Sequence, residues 1–168
     1  MTAQIPDKIL YKGQKYSLFS NPLGPYLQAM DIKYPGISTA NYRGYIASWE
    51  VIDKKLYLTH IKLPGFKPEL DEEANLFPEK EKTFAHWYTG RLRIPHGELL
   101  ESVHQGYASI YEKELYLRFL NGNLIGEGEK DNWPEHEEKI TRQKRYERER
   151  ENRKPKNRIL KLLGLRKV

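Results

Sequence analysis

Residues that favour tight turns interrupt most of the chain at short intervals, and stretches of alternating polarity lie between them. Lys12-Gly13-Gln14, Asp53-Lys54-Lys55 and Asn121-Gly122 each separate two such stretches. Asn-Gly is the strongest two-residue hairpin pattern, because both residues tolerate the positive φ that a hairpin turn requires. Side chains alternate between the two sides of a strand, so one side of the stretch from Tyr42 to Ile52 can be buried. That side holds Tyr45, Ala47, Trp49 and Val51.

We therefore expect a mainly β protein: one antiparallel β sandwich or partly open barrel of about seven to nine strands, since turns recur about every 8–12 residues. The 12 Tyr and 3 Trp suit such a fold, because aromatic rings pack well on a half-buried pleated face. The chain has no cysteine, which excludes disulfides and thiolate metal sites. Stability must therefore come from packing.

Five segments carry more detailed expectations. Thr83 to Ile94 resembles two short strands with a kink near Gly90, while Pro95-His96-Gly97 predicts a turn. Glu112-Lys113-Glu114 predicts another turn, between a strand ending at Tyr111 and one starting at Leu115. The segment from Pro64 to Lys82 is rich in proline and acidic residues and predicts a long solvated excursion. The pattern of Gly97 to Gln105 fits a strand and a short helix equally well.

Positive charge is concentrated at the end of the chain. Lys139 to Val168 holds 13 Lys and Arg against 3 Glu, whereas the preceding residues hold 16 basic and 20 acidic side chains. Such asymmetry predicts a folded body and a basic tail that contacts something negative. Trp133-Pro134 fits the start of a helix, because proline is tolerated in the first turn. We expect a β domain over residues 1–133 and a basic helical extension over 134–168.

The basic tail is the candidate nucleic-acid or polyanion site, because cations that neutralise phosphates release counterions. Glu147, Glu149 and Glu151 favour a second interpretation, a solvated or protein-binding helix, since they can pair with arginines one turn away. The apolar cluster in Ile159–Val168 can contact an anionic membrane, a partner groove or the body itself. The candidate nucleic-acid-binding residues are Arg142, Lys144, Arg145, Arg148, Arg150, Arg153, Lys154, Lys156 and Arg158.

One stretch of the body holds residues suited to acid–base chemistry and anion binding. Histidine with a carboxylate can transfer protons, and arginine can hold an anionic group. The catalytic candidates are His86, Glu98, His104 and Tyr107, and the ligand-binding candidates are Arg91 and Arg93. No phosphate loop, nucleophile elbow or dinucleotide glycine pattern is present. The histidines lack a tight ligand spacing, so we expect no metal and no cofactor.

These patterns favour a binding protein over an enzyme. Our leading hypothesis is a non-enzymatic interaction protein whose β body recognises a partner protein or a small anionic ligand, with a tail that contacts nucleic acid or another polyanion. The alternatives are a small hydrolase or transferase acting on a phosphorylated or nucleotide substrate, and an assembly subunit whose tail folds on a partner protein. The N-terminus has no apolar signal region and no run approaches the ~18 apolar residues of a membrane span, so we expect a cytoplasmic protein.

Overall fold

The computed structural model describes residues 2–64 and 82–153, and over these ranges the protein is mainly β. It divides into two compact units after Asp131. All the strands belong to the first unit, and the longer of two helices belongs to the second. In chain order the elements are β1 (Asp7–Tyr11), β2 (Gln14–Leu18), α1 (Gly24–Ala29), β3 (Ile46–Ile52), β4 (Lys55–Lys62), β5 (Thr83–Phe84), β6 (Gly90–Glu101), β7 (Ile110–Leu120), β8 (Asn123–Asp131) and α2 (Trp133–Arg153).

The strands form one mixed sheet that is not closed. Its order is β2-β1-β3-β4-β8-β7-β6, and the short β5 pairs with β4 beside this path. Every pair is antiparallel except β1 with β3, so the expectation of a purely antiparallel sheet is wrong at that position. The reason is the long connection from Leu18 to Ile46, which includes α1. A connection of that length can carry the chain across to the free edge of β1, whereas a tight turn would have placed β3 beside β2.

The core is built from alternate residues of the longest strands. Leu92 and Ile94 of β6 are fully buried, and Leu117 and Phe119 of β7 lie opposite Leu92 and Gly90 with at most 2% of their surface exposed. On β3, Trp49 is buried together with Tyr45 and Ala47, as the alternation of that stretch predicts. Burial of this apolar face is the main force that holds the sheet together.

The three hairpin turns predicted from the sequence are confirmed. Lys12-Gly13 joins β1 to β2, Asp53-Lys54 joins β3 to β4, and Asn121-Gly122 joins β7 to β8. All six residues have positive φ, between 47° and 78°. This is the backbone conformation that two-residue hairpins need, because its twist matches that of the flanking strands.

Two predicted turns are absent. β7 continues straight through Glu112-Lys113-Glu114, and β6 continues through Pro95-His96-Gly97 with shifts in register after His96. β7 lies between β6 and β8, so both its edges are paired and its charged residues stay in strand. β6 ends the strand path, where proline is tolerated, and Gly97 supplies the positive φ of an irregular position. Gly97–Gln105 is strand as far as Glu101. The predicted excursion falls largely outside the described residues.

Replacing Leu117 by alanine is expected to destabilise the protein by about 2–5 kcal/mol, because it leaves a cavity at a fully buried position. Leu120→Ala is the matched control on the same strand: Leu120 is 51% exposed, so its loss should change the free energy of unfolding by less than about 0.5 kcal/mol. Urea unfolding at neutral pH measures both. Equal effects at the two positions would contradict the assignment of the buried face.

Candidate functional site

The four catalytic candidates occupy different surroundings. His86 is exposed and packs edge-on against Trp87, with ring centroids 5.4 Å apart. His104 is exposed beyond the end of β6, and Glu98 is exposed within β6, where its backbone N–H donates to the Glu112 carboxylate at 3.3 Å. Tyr107 is half-buried. Within residues 2–64 and 82–153, no hydrogen bond joins any two of these four side chains.

Tyr107 belongs to a buried polar network centred on Asp7. The Asp7 carboxylate is fully buried and accepts hydrogen bonds from Arg43 Nη1 at 3.0 Å and from Trp49 Nε1 at 3.2 Å. Asn21 Oδ1 accepts from Arg43 at 2.6 Å and from the Tyr107 hydroxyl at 3.0 Å. Tyr107 is therefore a donor within a structural network that spans four segments of the chain.

The titration of this network follows from its burial. Desolvation raises the pKa of Asp7 above its usual 3.8, and the hydrogen bonds from Arg43 and Trp49 act against that rise. Burial also raises the pKa of the Tyr107 phenol. Tyr107 accordingly stays protonated at neutral pH and keeps its role as a donor to Asn21.

The two ligand-binding candidates differ in how many partners they have. Arg93 is half-buried and donates to the backbone oxygens of Tyr107 and Ser109 and to the carboxylate of Glu114. Its hydrogen-bonding capacity is largely used within the protein. Arg91 is exposed, and its guanidinium carbon lies 4.5 Å from the centroid of the Tyr116 ring. Arg91 and Arg93 are two residues apart on β6 and so share one face, but of the two Arg91 is the one available to a ligand.

A groove of about 450 Å³ lies between residues Leu124–Glu127 of β8 and the ends of the β1–β2 and β3–β4 hairpins. β4 and β8 pair only at Lys55 and Asn123, flanked by backbone hydrogen bonds of 2.7 Å from Leu124 N to Lys54 O and of 2.9 Å from Leu56 N to Gly122 O. From this pair the two antiparallel strands run in opposite directions, so β8 continues past the β3–β4 turn without a residue of β4 beside it. The groove is lined by Tyr11, Lys12, Val51, Lys54, Leu124, Ile125, Gly126 and Glu127.

Polar side chains bridge this groove. The Tyr11 hydroxyl donates to the Glu127 carboxylate, and Lys12 Nζ lies 3.0 Å from the same carboxylate. Burial and the bond to Glu127 raise the pKa of Tyr11, while the bonds from Tyr11 and Lys12 lower the pKa of Glu127 below its usual 4.5. Lys54 has no acidic partner among the residues that the structure describes. The groove thus presents one free cation beside an apolar wall of Val51 and Leu124.

The groove continues along an open backbone edge. From Ile125 to Glu129, β8 pairs with β7 on one side and, within the described part of the chain, with no strand on the other. Alternate residues of an antiparallel strand direct their N–H and C=O groups to opposite sides, so part of this backbone points toward the groove. Ile125 is 57% exposed at its start. An edge of this kind is a template for pairing with another strand.

The tail residues are exposed where the structure describes them. Arg142, Lys144, Arg145, Arg148, Arg150 and Arg153 lie on α2, which buries no side chain, whereas Lys154, Lys156 and Arg158 lie outside the described residues. Arg142 pairs with Glu138 at 2.7 Å. Because α2 begins at Trp133, it includes Glu135, Glu137 and Glu138 and holds seven basic against six acidic residues. The helix is nearly neutral, and six further cations follow it in positions 154–168.

Sequence reasoning missed the groove residues. Tyr11 and Glu127 are 116 positions apart, so no local pattern links them. Two groove lysines, Lys12 and Lys54, do occupy recognisable hairpin turns, which is the one feature of the site visible in the sequence.

Neither described helix is both long and apolar enough to cross a membrane.

Replacing Glu114 by glutamine is expected to lower the free energy of unfolding at neutral pH by about 1–3 kcal/mol, because Arg93 loses a charged partner. Burial acts to raise the pKa of Glu114, but hydrogen bonds from Arg93 and Tyr116 outweigh it and hold the pKa below 4.5. A lowered folded-state pKa means that the unfolded chain binds the proton more tightly. The contribution of Glu114 is therefore present above about pH 4.5 and is lost as the pH falls through its folded-state pKa.

Urea unfolding of the wild type and Glu114→Gln, from about pH 7 down to about pH 3, measures this contribution as the difference between them. The difference should be largest at neutral pH and shrink in acid. Glu98→Gln is the control, since Glu98 is an exposed carboxylate on the neighbouring strand. A difference that grows as the pH falls would contradict the assignment.

Comparisons with known proteins assign no family to this geometry. No protein-family model, characterised protein or solved structure matches the chain. Three features of the body offer chemistry for a function: the groove beside Leu124–Glu127 of β8, the open edge of β8 from Ile125 to Glu129, and the exposed arginines.

Proposed function

We propose that the protein is a non-enzymatic interaction protein whose β body binds an extended segment of a partner protein. The segment adds to the sheet as a strand along the open edge of β8. The observation that carries this proposal is the unpaired backbone from Ile125 to Glu129, next to a groove of about 450 Å³. Backbone hydrogen bonds supply affinity in such strand addition, and side-chain pockets supply specificity.

The groove lining indicates what the segment carries. Val51 and Leu124 form an apolar wall that suits one aliphatic or aromatic side chain of the partner. Lys54, at the groove rim, favours an acidic residue close to that side chain. Lys12 is held by Glu127 at 3.0 Å and contributes less to charge recognition. The expected partner segment is therefore extended, with an apolar residue near an acidic one.

We infer a partly open barrel as the finer description of the sheet. Its two terminal strands, β2 and β6, approach each other, and the backbone N–H of Phe19 donates to Arg93 O at 2.8 Å. Tyr16 and His96 pack across the same junction with ring centroids 5.9 Å apart. In that description, the opening of the barrel lies beside β8 beyond its pair with β4, and the incoming strand would fill it.

The alternative function, a hydrolase or transferase, requires a base, an anion clamp and a hydroxyl to meet within hydrogen-bond reach. Among the described residues, Tyr107 bonds to Asn21 and Arg93 bonds to Glu114, while His86 and His104 are exposed and contact neither. No specific contact supports this alternative, so the interaction function is the proposal that we carry forward.

Replacing Ile125 by lysine should weaken peptide binding by at least about tenfold, because an added lysine on an edge strand opposes pairing with another strand. The probes are linear peptides selected from a displayed random library on the wild-type protein. Binding of each synthetic peptide is measured by calorimetry, and its location by amide hydrogen exchange. Bound peptides should protect amides between Ile125 and Glu129 that exchange rapidly in the free protein.

Leu120→Lys is the matched control, because Leu120 is a similarly exposed apolar residue on the neighbouring strand and lies outside the groove. It should leave affinity unchanged. Peptides that protect amides elsewhere, or that bind Ile125→Lys as tightly as the wild type, would overturn the proposal. Enrichment of peptides without an apolar residue next to an acidic one would overturn the specificity assigned to Val51 and Lys54.

We further propose that the tail contacts a polyanion. Support comes from the exposure of Arg145 and Arg148 on α2 and from the six cations in positions 154–168, where the sequence has no acidic residue. The near-balance of charge on α2 itself indicates that the helix supplies less of the attraction than the residues after it. The same exposed helix also suits the third hypothesis, an assembly subunit, because α2 buries no side chain.

Changing Arg142, Arg145 and Arg148 together to glutamate should weaken binding of a single-stranded oligonucleotide irrespective of its sequence and reduce the dependence of affinity on salt. Fluorescence anisotropy over a salt series measures both quantities. The triple change to glutamine is the control that removes positive charge without adding repulsion, and its effect should be smaller. Salt-insensitive binding would contradict a role for the tail, and binding that is unaffected by both triple variants would contradict a role for these three arginines.

A further inference from the structure

The outer face of the β6–β7–β8 hairpins carries an unusual row of residues, which we call the outer arginine face: Arg91, Tyr116, Arg118, Gly126 and Gly128. Arg91 lies directly opposite Arg118 on the neighbouring strand, and Arg118 lies directly opposite Gly126. In the adjacent row, Tyr116 lies directly opposite Gly128. Two arginines therefore face each other across a strand pair, and two glycines border them on β8.

This pairing is unfavourable unless something negative is bound. Like charges directly opposite each other in an antiparallel pair destabilise the sheet. Arg91 and Arg118 are both exposed, and neither has an acidic partner within the described ranges. The nearby carboxylate of Glu114 is already bonded to Arg93 and Tyr116. The protein thus keeps two uncompensated guanidinium groups on one face, where a bound anion would relieve their repulsion.

The two guanidinium groups border an open patch of backbone. Arg91 reaches toward β7, with its guanidinium carbon 4.5 Å from the centroid of the Tyr116 ring. Arg118 reaches toward β8, with Nη2 2.8 Å from the point where a Cβ on Gly126 would lie. Gly128 has no atom within 4 Å of its own Cβ position. Gly128 thus lies directly opposite Tyr116, on which Arg91 packs, and two residues from Gly126, beside which Arg118 lies.

We propose that the open surface over Gly128 is a binding site for a phosphate group, held between Arg91 and Arg118. A guanidinium presents parallel donors that match phosphate oxygens, and two such groups match a phosphate better than a carboxylate, which one guanidinium satisfies. The missing side chain of Gly128 lets the anion approach the strand backbone. The group belongs to a nucleotide or to the backbone of a single-stranded nucleic acid. Of the residues of the outer arginine face, only Gly126 also lines the groove that is proposed to bind a peptide.

The test uses the full chain labelled with ¹⁵N and three probes: inorganic phosphate, adenosine monophosphate and a single-stranded oligothymidylate. Binding should shift the amide resonances of Arg91, Arg118 and Gly128. Arg91→Gln and Arg118→Gln should each weaken binding by about tenfold, because each removes one charged partner. Lys62→Gln is the charge-matched control, since Lys62 is an exposed cation on β4, and it should leave affinity unchanged.

Gly128→Val tests the site without changing charge. Gly128 does not have a positive φ, and a β-branched residue suits a strand, so the variant should fold at least as stably as the wild type. Its side chain fills the open surface and should abolish binding. Urea unfolding confirms that each variant remains folded.

Two results support the site and identify the source of the phosphate. Equal affinity for adenosine monophosphate and the oligonucleotide, reduced alike in the variants, indicates a nucleotide. Much tighter, salt-dependent oligonucleotide binding that is still reduced by Arg91→Gln indicates a nucleic-acid backbone. Binding that shifts only amides of α2, or that survives Arg118→Gln and Gly128→Val, overturns the proposal, as does the absence of binding by all three probes.

Discussion

The buried carboxylate of Asp7 is the interaction on which the arrangement of the body depends. It is fully buried at the start of β1 and accepts hydrogen bonds from Arg43 and from two groups of β3, the amide of Ala47 and the indole of Trp49. These bonds fix β1 beside β3 in the one parallel pair among the described strands. Taking one partner from a buried ion pair typically costs ~3–5 kcal/mol, because the remaining charge is left without compensation. The position of β1 is therefore strongly specified.

The same network reaches the far side of the body through Asn21. Asn21 links Arg43 to Tyr107, and the backbone oxygen of Tyr107 in turn accepts a hydrogen bond from Arg93. The network in this way connects residues of β1 and of β6 with residues of the segments that precede β3 and β7. In the sequence, these ionisable and hydroxyl groups look suited to catalysis or ligand binding. In the structure they stabilise the fold, since buried polar groups must find partners.

Arg93 and Arg91 show how the structure distinguishes a residue that stabilises the fold from one that is available to a ligand. Both lie on the same side of β6, two residues apart. Arg93 donates to two backbone oxygens and to Glu114, whereas Arg91 contacts an aromatic ring and no carboxylate among the described residues. A side chain whose donors are largely used within the protein contributes rigidity. A side chain whose donors bind only water is still available to a ligand, because the ligand can replace that water.

β8 concentrates the binding features of the body on one strand. Its open edge from Ile125 to Glu129 adjoins the groove, and its outer face has glycine at positions 126 and 128. Glycine weakens a strand, because it has no side chain to pack, and commonly marks a place where a ligand or another backbone approaches. Pairing with β7 along most of the other edge compensates for this weakness. β8 can therefore stay in the sheet although one of its edges is unpaired within the described residues and glycines leave part of one face without side chains.

The features that depend on neighbouring residues could be predicted from the amino-acid sequence. Asn121-Gly122 and Lys12-Gly13 fix two hairpins because local backbone conformation decides a tight turn, and the alternation around Trp49 decides which side of β3 is buried. The turn expected at Glu112-Lys113-Glu114 was wrong because pairing on both edges of β7 overrode a polar local pattern. Only the tertiary structure decided that β1 lies parallel to β3, that Tyr11 bonds to Glu127, and that Arg91 faces Arg118. Those contacts join residues far apart in the chain, and their geometry follows from strand order and register, which no local pattern encodes.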